Sequence, residues 1–120
     1  MIELVYILRA IKTPQTIAFE ELERFIYDQL LWQDRISIYS TSAGLDRDLR
    51  FLADLGAIEY DGRTIKVVPS VFRERTQQIV ETAHSMIAGN AYLKHIIDTI
   101  KRRAEEFAER VARAGAQAAV

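Results

Sequence analysis

The stretch SAGLDRDLRFLADLGAIEYDGRTIKVV, residues 42–68, changes its hydrophobic period once, and that change decides the fold. Leu45, Leu49, Leu52 and Leu55 recur at the spacing of one buried helical face. Thr41 or Ser42 supplies an N-cap oxygen for the free N–H groups of the first turn. Gly56 stands where a helix often ends through a left-handed residue. Beyond it the chain reads as a short β-hairpin turning on Asp61-Gly62, a dipeptide that favours two-residue turns. Such a turn pairs Tyr60 with Arg63 and Ile58 with Ile65, which puts Ile58, Tyr60, Ile65 and Val67 on one face. That face is expected to close the core.

Upstream, Leu4, Val5, Leu8 and Ile11 fall at helical spacing, and the helix should stop before Thr13-Pro14, because the residue preceding proline is pushed out of the α region. Residues Ile17 to Trp32 repeat the pattern with Leu22, Phe25, Ile26 and Leu30, and Glu20, Glu21 and Glu23 suit the positive end of a helix dipole. A second helix is therefore expected there. Arg35-Ile36-Ser37-Ile38-Tyr39 alternates polar and apolar, which predicts a short strand.

Downstream of Pro69 the strand signals end. A helix opened by Ser70 carries Phe72, Ile79, Val80, Ala83, Met86 and Ile87, and Gly89-Asn90 then offers a C′ glycine and a new N-cap. A turn is favoured there over a kinked continuous helix. The last helix repeats Leu93, Ile97, Ile100, Ala104, Phe107, Val111 and Ala114 at alternating intervals of four and three. A period of 3.5 is that of a coiled-coil seam, so Leu93, Ile97, Ile100, Ala104, Phe107 and Val111 are expected to form a homodimer interface. Residues 1–68 and 69–120 thus read as a core domain and a helical dimerisation region, with fraying from Ala114 onward.

At 120 residues and 49% hydrophobic, the chain is long enough for one domain with an appended helical segment. A formal charge of −1 excludes the global basicity of a protein that coats nucleic acid without selectivity. Residues 1–68 carry 8 basic and 11 acidic side chains, so any nucleic-acid contact must be local. The absence of cysteine rules out disulfides, zinc ribbons and thiol catalysis. With no leader-like start and no apolar run near the ~18 residues of a membrane span, a cytoplasmic protein without membrane contact is expected. A single asparagine and many Arg/Glu pairs agree with heat adaptation.

The expected order is helix, helix, strand, helix and hairpin. With the run Leu45-Asp46-Arg47-Asp48-Leu49-Arg50-Phe51-Leu52-Ala53-Asp54-Leu55-Gly56-Ala57-Ile58-Glu59-Tyr60-Asp61-Gly62-Arg63, it resembles the winged helix-turn-helix superfamily. The long C-terminal helix makes the chain similar to small archaeal winged-helix proteins that dimerise through coiled coils, and more loosely to PadR-like regulators. The resemblance implies a mostly α fold with a small β-hairpin, and a homodimeric transcriptional regulator that binds double-stranded DNA. It places helix 42–55 in the major groove and the wing, 57–68, on phosphates.

On that footing Arg47 and Arg50 are the first candidates for DNA contact, since arginine matches both the guanine O6/N7 edge and phosphate. Thr41 and Ser42 can hold a phosphate at the helix N-terminus or simply cap it. Arg35, Arg63 and Lys66 can extend the backbone contacts. Asp46, Asp48 and Asp54 interrupt this basic face. The alternative is a winged-helix adaptor that binds a protein partner without DNA, through the same helix or through Glu20, Glu21, Glu23 and Asp28.

No hydrolase triad, phosphate-cradling glycine loop or nucleotide fingerprint appears in the sequence, so no enzyme and no cofactor is expected. Glu81, His84, His95 and Asp98 flank Gly89-Asn90 symmetrically, but the helical phase of His95 turns it away from the seam, and no metal site is expected. Tyr60 and Trp32 are expected at the edge of the core. Along the last helix, Asp98 and Arg102, Arg102 and Glu106, Glu106 and Arg110, and Glu109 and Arg113 stand four apart, the spacing of helical ion pairs.

Overall fold

The computed structural model describes the backbone of residues 1–118 and the side chains of residues 1–115. Its elements run α1 (Ile2–Arg9), β1 (Gln15–Ala18), α2 (Phe19–Arg24) continuing into a π-helical stretch (Phe25–Gln33), α3 (Ser42–Asp54), β2 (Glu59–Tyr60), β3 (Thr64–Val67), α4 (Pro69–Ala88) and α5 (Ala91–Ala118). The fold is mostly helical, with one small three-stranded antiparallel sheet ordered β1-β3-β2.

Helix α3 forms as its sequence dictates. Thr41 has extended backbone angles and its hydroxyl accepts from the Gly44 N–H at 3.3 Å, which identifies it as the N-cap. Leu45, Leu49 and Leu52 are fully buried, whereas Leu55 at the C-cap is 37% exposed. Gly56 follows at φ +76, a left-handed conformation natural to glycine.

The hairpin keeps its expected faces but not its expected register. Tyr60 pairs with Ile65 and Glu59 with Lys66, a shift of two positions from a two-residue turn. The cause is Asp61, whose Oδ1 accepts from the backbone N–H groups of Arg63 and Thr64 at 2.8 and 2.7 Å, organising a longer loop with Gly62 at φ +92. A shift of two leaves every side chain on its original face, so Ile58, Ile65 and Val67 are still buried.

Two expectations upstream are corrected. The segment from Ile17 does not begin as helix: Gln15–Ala18 is a strand paired with β3, with Ile17 opposite Ile65, both fully buried. The ladder is prolonged by the Phe19 N–H donating to the Arg63 carbonyl at 2.7 Å. Residues 35–39 form no strand. Arg35 takes φ +59 after the π-helical stretch, the Ile36 N–H reaches back to the Leu30 carbonyl at 2.7 Å, and the segment lies over the core with Tyr39 buried. Its alternation reflects which side chains point inward from a loop.

Gly89-Asn90 is a turn, with Asn90 Oδ1 accepting from the Leu93 N–H at 3.0 Å as the new N-cap. Helix α5 then runs back across the molecule. Ile97, Ile100, Ala104, Phe107 and Val111 are all buried in the chain's own core, and Leu93 is half-buried. Phe107 stacks on Phe25 of the π-helical stretch at 4.6 Å between ring centroids. Arg103 grips Asp34 with Nε and Nη2, all three contacts at 3.1 Å. The seam read as a dimer interface is therefore covered within one chain, and the physical ground for a coiled-coil partner at these positions is removed. One core joins residues on both sides of position 68. None of the four expected i,i+4 pairs along α5 is found among the described residues; Lys94 pairs with Asp98, and Arg103 with Asp34 and Glu106. The helix continues past Ala114 to Ala118, and the last two residues of the tail expected to fray lie outside the described residues. No helix among the described residues is long and apolar enough to cross a membrane.

Candidate nucleic-acid interface

Helix α3 buries one stripe and turns Ala43, Arg47, Arg50, Phe51 and Asp54 to the surface. Its acidic residues take three different environments. Asp48 is buried: Tyr39 Oη donates to its Oδ2 at 2.6 Å, and the Met1 ammonium lies 3.1 Å from the same oxygen. Burial opposes its charge, but the Tyr39 hydrogen bond and the ammonium outweigh that and hold the carboxyl below its ordinary value. The same pocket pushes the Tyr39 hydroxyl well up, by burial first and then by the carboxylate it serves.

Asp46 faces the hairpin. It accepts from Arg50 Nε at 2.9 Å and from Tyr60 Oη at 2.5 Å, and the Arg50 guanidinium sits over the Tyr60 ring at 5.3 Å from its centroid. The Arg50 bond, then the Tyr60 bond, lowers the Asp46 pKa, and Asp46 in turn raises that of Arg50. Tyr60 also packs on Phe19 at 6.3 Å, so its expected place at the core edge is found. A Cβ at Gly62 would meet the terminal nitrogen of Arg50 at 3.6 Å, which puts the hairpin tip directly beside α3. Helix and hairpin are thus tied into one surface by a carboxylate, a phenol and a guanidinium.

Asp54 alone of the three remains on the outer face of α3 without an ion-pair partner among the described residues. Arg47, with 79% of its side chain exposed, makes only a long contact to Asp48 at 3.7 Å. Arg63 is exposed at the hairpin tip, and Lys66 stands 3.6 Å from Glu59 across the strand pair. Arg35 is exposed in the loop before α3, and the structure does not connect it to the α3–hairpin surface.

The two hydroxyl candidates are already engaged. Thr41 caps the helix, and the Ser42 hydroxyl donates to Glu23 Oε2 on α2. Beside them lies an open groove of about 460 Å³ lined by Glu20, Glu23, Arg24, Tyr27, Asp28 and Ser42. These carboxylates are evident in the sequence, but only the tertiary fold places them against the start of α3. Trp32, expected at the core edge, is instead 68% exposed. Searches against family models, curated proteins and solved structures find no match to this chain.

Proposed function

We propose that residues 1–68 form a winged helix-turn-helix and that the protein binds double-stranded DNA through α3 and the hairpin. One observation carries this: the Asp46–Tyr60–Arg50 cluster fastens the hairpin tip to α3, so that the exposed Arg47 and Arg50 of α3 and Arg63 of the hairpin belong to one braced unit. Preorganised arginines on an exposed helix suit the phosphates and guanine edges that line the major groove, and a hairpin alongside suits the flanking phosphates. Sorting Asp48 inward removes one of the three acidic side chains that the sequence places among these arginines, and Asp46, turned toward the hairpin, is paired with Arg50. Because the α5 seam is committed to the chain's own core, the proposed binding unit is the single chain, and a homodimer would have to use another surface.

Fluorescence anisotropy against mixed-sequence duplex, over a range of salt, tests this. With Arg47, Arg50, Arg63 and Lys66 each meeting one phosphate, the log–log salt slope is about −3.6 per chain, and affinity falls roughly 150-fold between 50 and 200 mM salt. Arg47→Ala with Arg50→Ala should flatten that slope by about half without unfolding the protein. A slope near zero, or a double variant that binds as well as the parent, would sink the DNA assignment.

The acidic groove favours a second reading, in which the protein is an adaptor that receives a basic segment of a protein partner. Glu20, Glu23 and Asp28 supply the charge there, and Ser42 ties the groove to α3. A partner bound this way would be lost on Glu20→Gln with Asp28→Asn and unaffected by Arg47→Ala.

A further inference from the structure

A group of basic side chains without ion pairs among the described residues lies away from α3. At the C-terminal end of α1, where it meets α4 and α5, a cavity of about 310 Å³ is lined by Arg9, Lys12, Arg73, His84 and Lys101. The single carboxylate on its wall is Glu105. None of these four cations, nor His84, takes part in an ion pair among the described residues. In a chain with a net charge of −1, four permanent cations facing one carboxylate are a marked local excess.

The cations are held in place by neutral groups. Arg9 Nη1 donates to Thr76 Oγ1 at 3.1 Å and to the Arg73 carbonyl at 3.4 Å, while Arg73 Nη2 donates back to the Arg9 carbonyl at 3.5 Å. Thr76 is itself fully buried and bonded to the Phe72 carbonyl at 2.6 Å, so the anchor is rigid. Lys101 Nζ stands over the Tyr6 ring at 4.8 Å from its centroid. These contacts orient the charges without neutralising them. Partial burial, and then the neighbouring charge of Arg73, make the Arg9 cation harder to hold.

We propose that this cavity binds a small phosphate-bearing molecule, with Arg9, Arg73 and Lys101 as its principal ligands. The recess is a shallow one, open to solvent and at the lower end of the size range of small-molecule pockets, which suits a phosphate or diphosphate group with a short organic portion better than the long track of a duplex backbone. The fork of a guanidinium matches phosphate oxygens two at a time, and two such forks beside a lysine match a diphosphate. Glu105 at the rim offers an acceptor for a ligand hydroxyl.

Titration calorimetry of the full chain with sodium pyrophosphate, at constant ionic strength set by chloride, tests the site. One saturable event per chain is expected, weakened at least 10-fold by Arg73→Gln with Lys101→Gln and unchanged by Arg47→Ala. Both substituted side chains are exposed, and the Arg9–Thr76 anchor is left intact. Removing like charges should also raise the melting temperature of the anion-free double variant, an effect a merely structural cluster would reverse. Absence of saturable binding, or equal affinity in the double variant, overturns the assignment. So does a double variant that loses duplex affinity while pyrophosphate binds neither protein, since the cluster then belongs to nucleic acid.

Discussion

Phe107→Ala separates the two roles available to the α5 seam. The ring is 2% exposed and stacked on Phe25 at 4.6 Å, with an interplanar angle of 23°. Truncating a fully buried phenylalanine removes its transfer free energy and leaves a cavity, about 3–5 kcal/mol, and the lost ring pair lies within or slightly above that range. About 4 kcal/mol is therefore expected, a large part of the ~5–15 kcal/mol that holds a domain of this size together. With a urea dependence of about 2 kcal/mol per molar, the midpoint should fall by roughly 2 M. The assay is equilibrium urea unfolding of both proteins at two concentrations some tens-fold apart. An intramolecular seam gives the full loss at both concentrations. The reasoning is refuted if the loss is under about 1 kcal/mol. It is equally refuted if the wild-type midpoint rises with concentration and Phe107→Ala abolishes that rise while leaving the dilute protein as stable as before.

Asp46→Asn tests the tie between α3 and the hairpin. Because the folded Asp46 pKa lies below its unfolded value of about 3.9, its contribution is complete above that value and disappears as pH falls through the folded pKa. The difference in melting temperature between wild type and variant should be constant above about pH 5 and shrink as the pH falls below the unfolded value; a difference that holds or grows on acidification would contradict the assigned ion pair. Gly56→Ala should cost about 1–2 kcal/mol by chemical denaturation, since φ is +76 while the nearest atom to the added Cβ, Arg75 Nε, is 3.9 Å away and leaves room for it. Gly56→Asn should recover part of that loss, and equal losses for both would place the cost in packing instead. Tyr39→Phe should cost about 2 kcal/mol, because it takes a buried hydrogen bond from a carboxylate; a neutral result would mean that the Met1 ammonium alone suffices for Asp48.

Local pattern explains what was legible in the sequence. Helix α3, with its threonine cap, leucine stripe and terminal glycine, is written in contiguous residues, and so is the turn at Gly89-Asn90. The strand β1 is not. Its four residues hold one buried isoleucine, which fits a helical period as well as an extended one, and only pairing with β3, nearly fifty residues later, selects the strand. The hairpin register departs from its dipeptide for a related reason, because one aspartate that accepts two backbone N–H groups outweighs the preference of Asp-Gly for a two-residue turn. The α5 stripe shows the limit of period alone. A 3.5-residue repeat says that a helix has an apolar seam, whereas the identity of what covers it is a tertiary fact, here α1, α4, β1 and the π-helical stretch.

The candidate site divides along the same line. Which side chains leave α3 follows from the helical period, so Arg47 and Arg50 were legible, but the fate of the charges between them was not. By count, three aspartates against two arginines make α3 an unpromising reader of a polyanion. Two of those aspartates act inside the fold: Asp48 satisfies a buried tyrosine, and Asp46 joins Tyr60 to Arg50. Asp48 is withdrawn from the outer face of α3 by Tyr39 and the Met1 ammonium, whereas Asp46 offsets the charge of Arg50 as it orients it, so that Arg47 and Arg63 carry most of the positive charge this surface keeps. Net charge over a segment is therefore a weak guide to its partner wherever the acids have structural duties. The converse holds at α1, α4 and α5, where dispersed basic residues with no shared motif converge on one recess and, among the described residues, no carboxylate comes within ion-pair distance. Charge left unpaired by the fold is the better indicator of what the surface receives from outside.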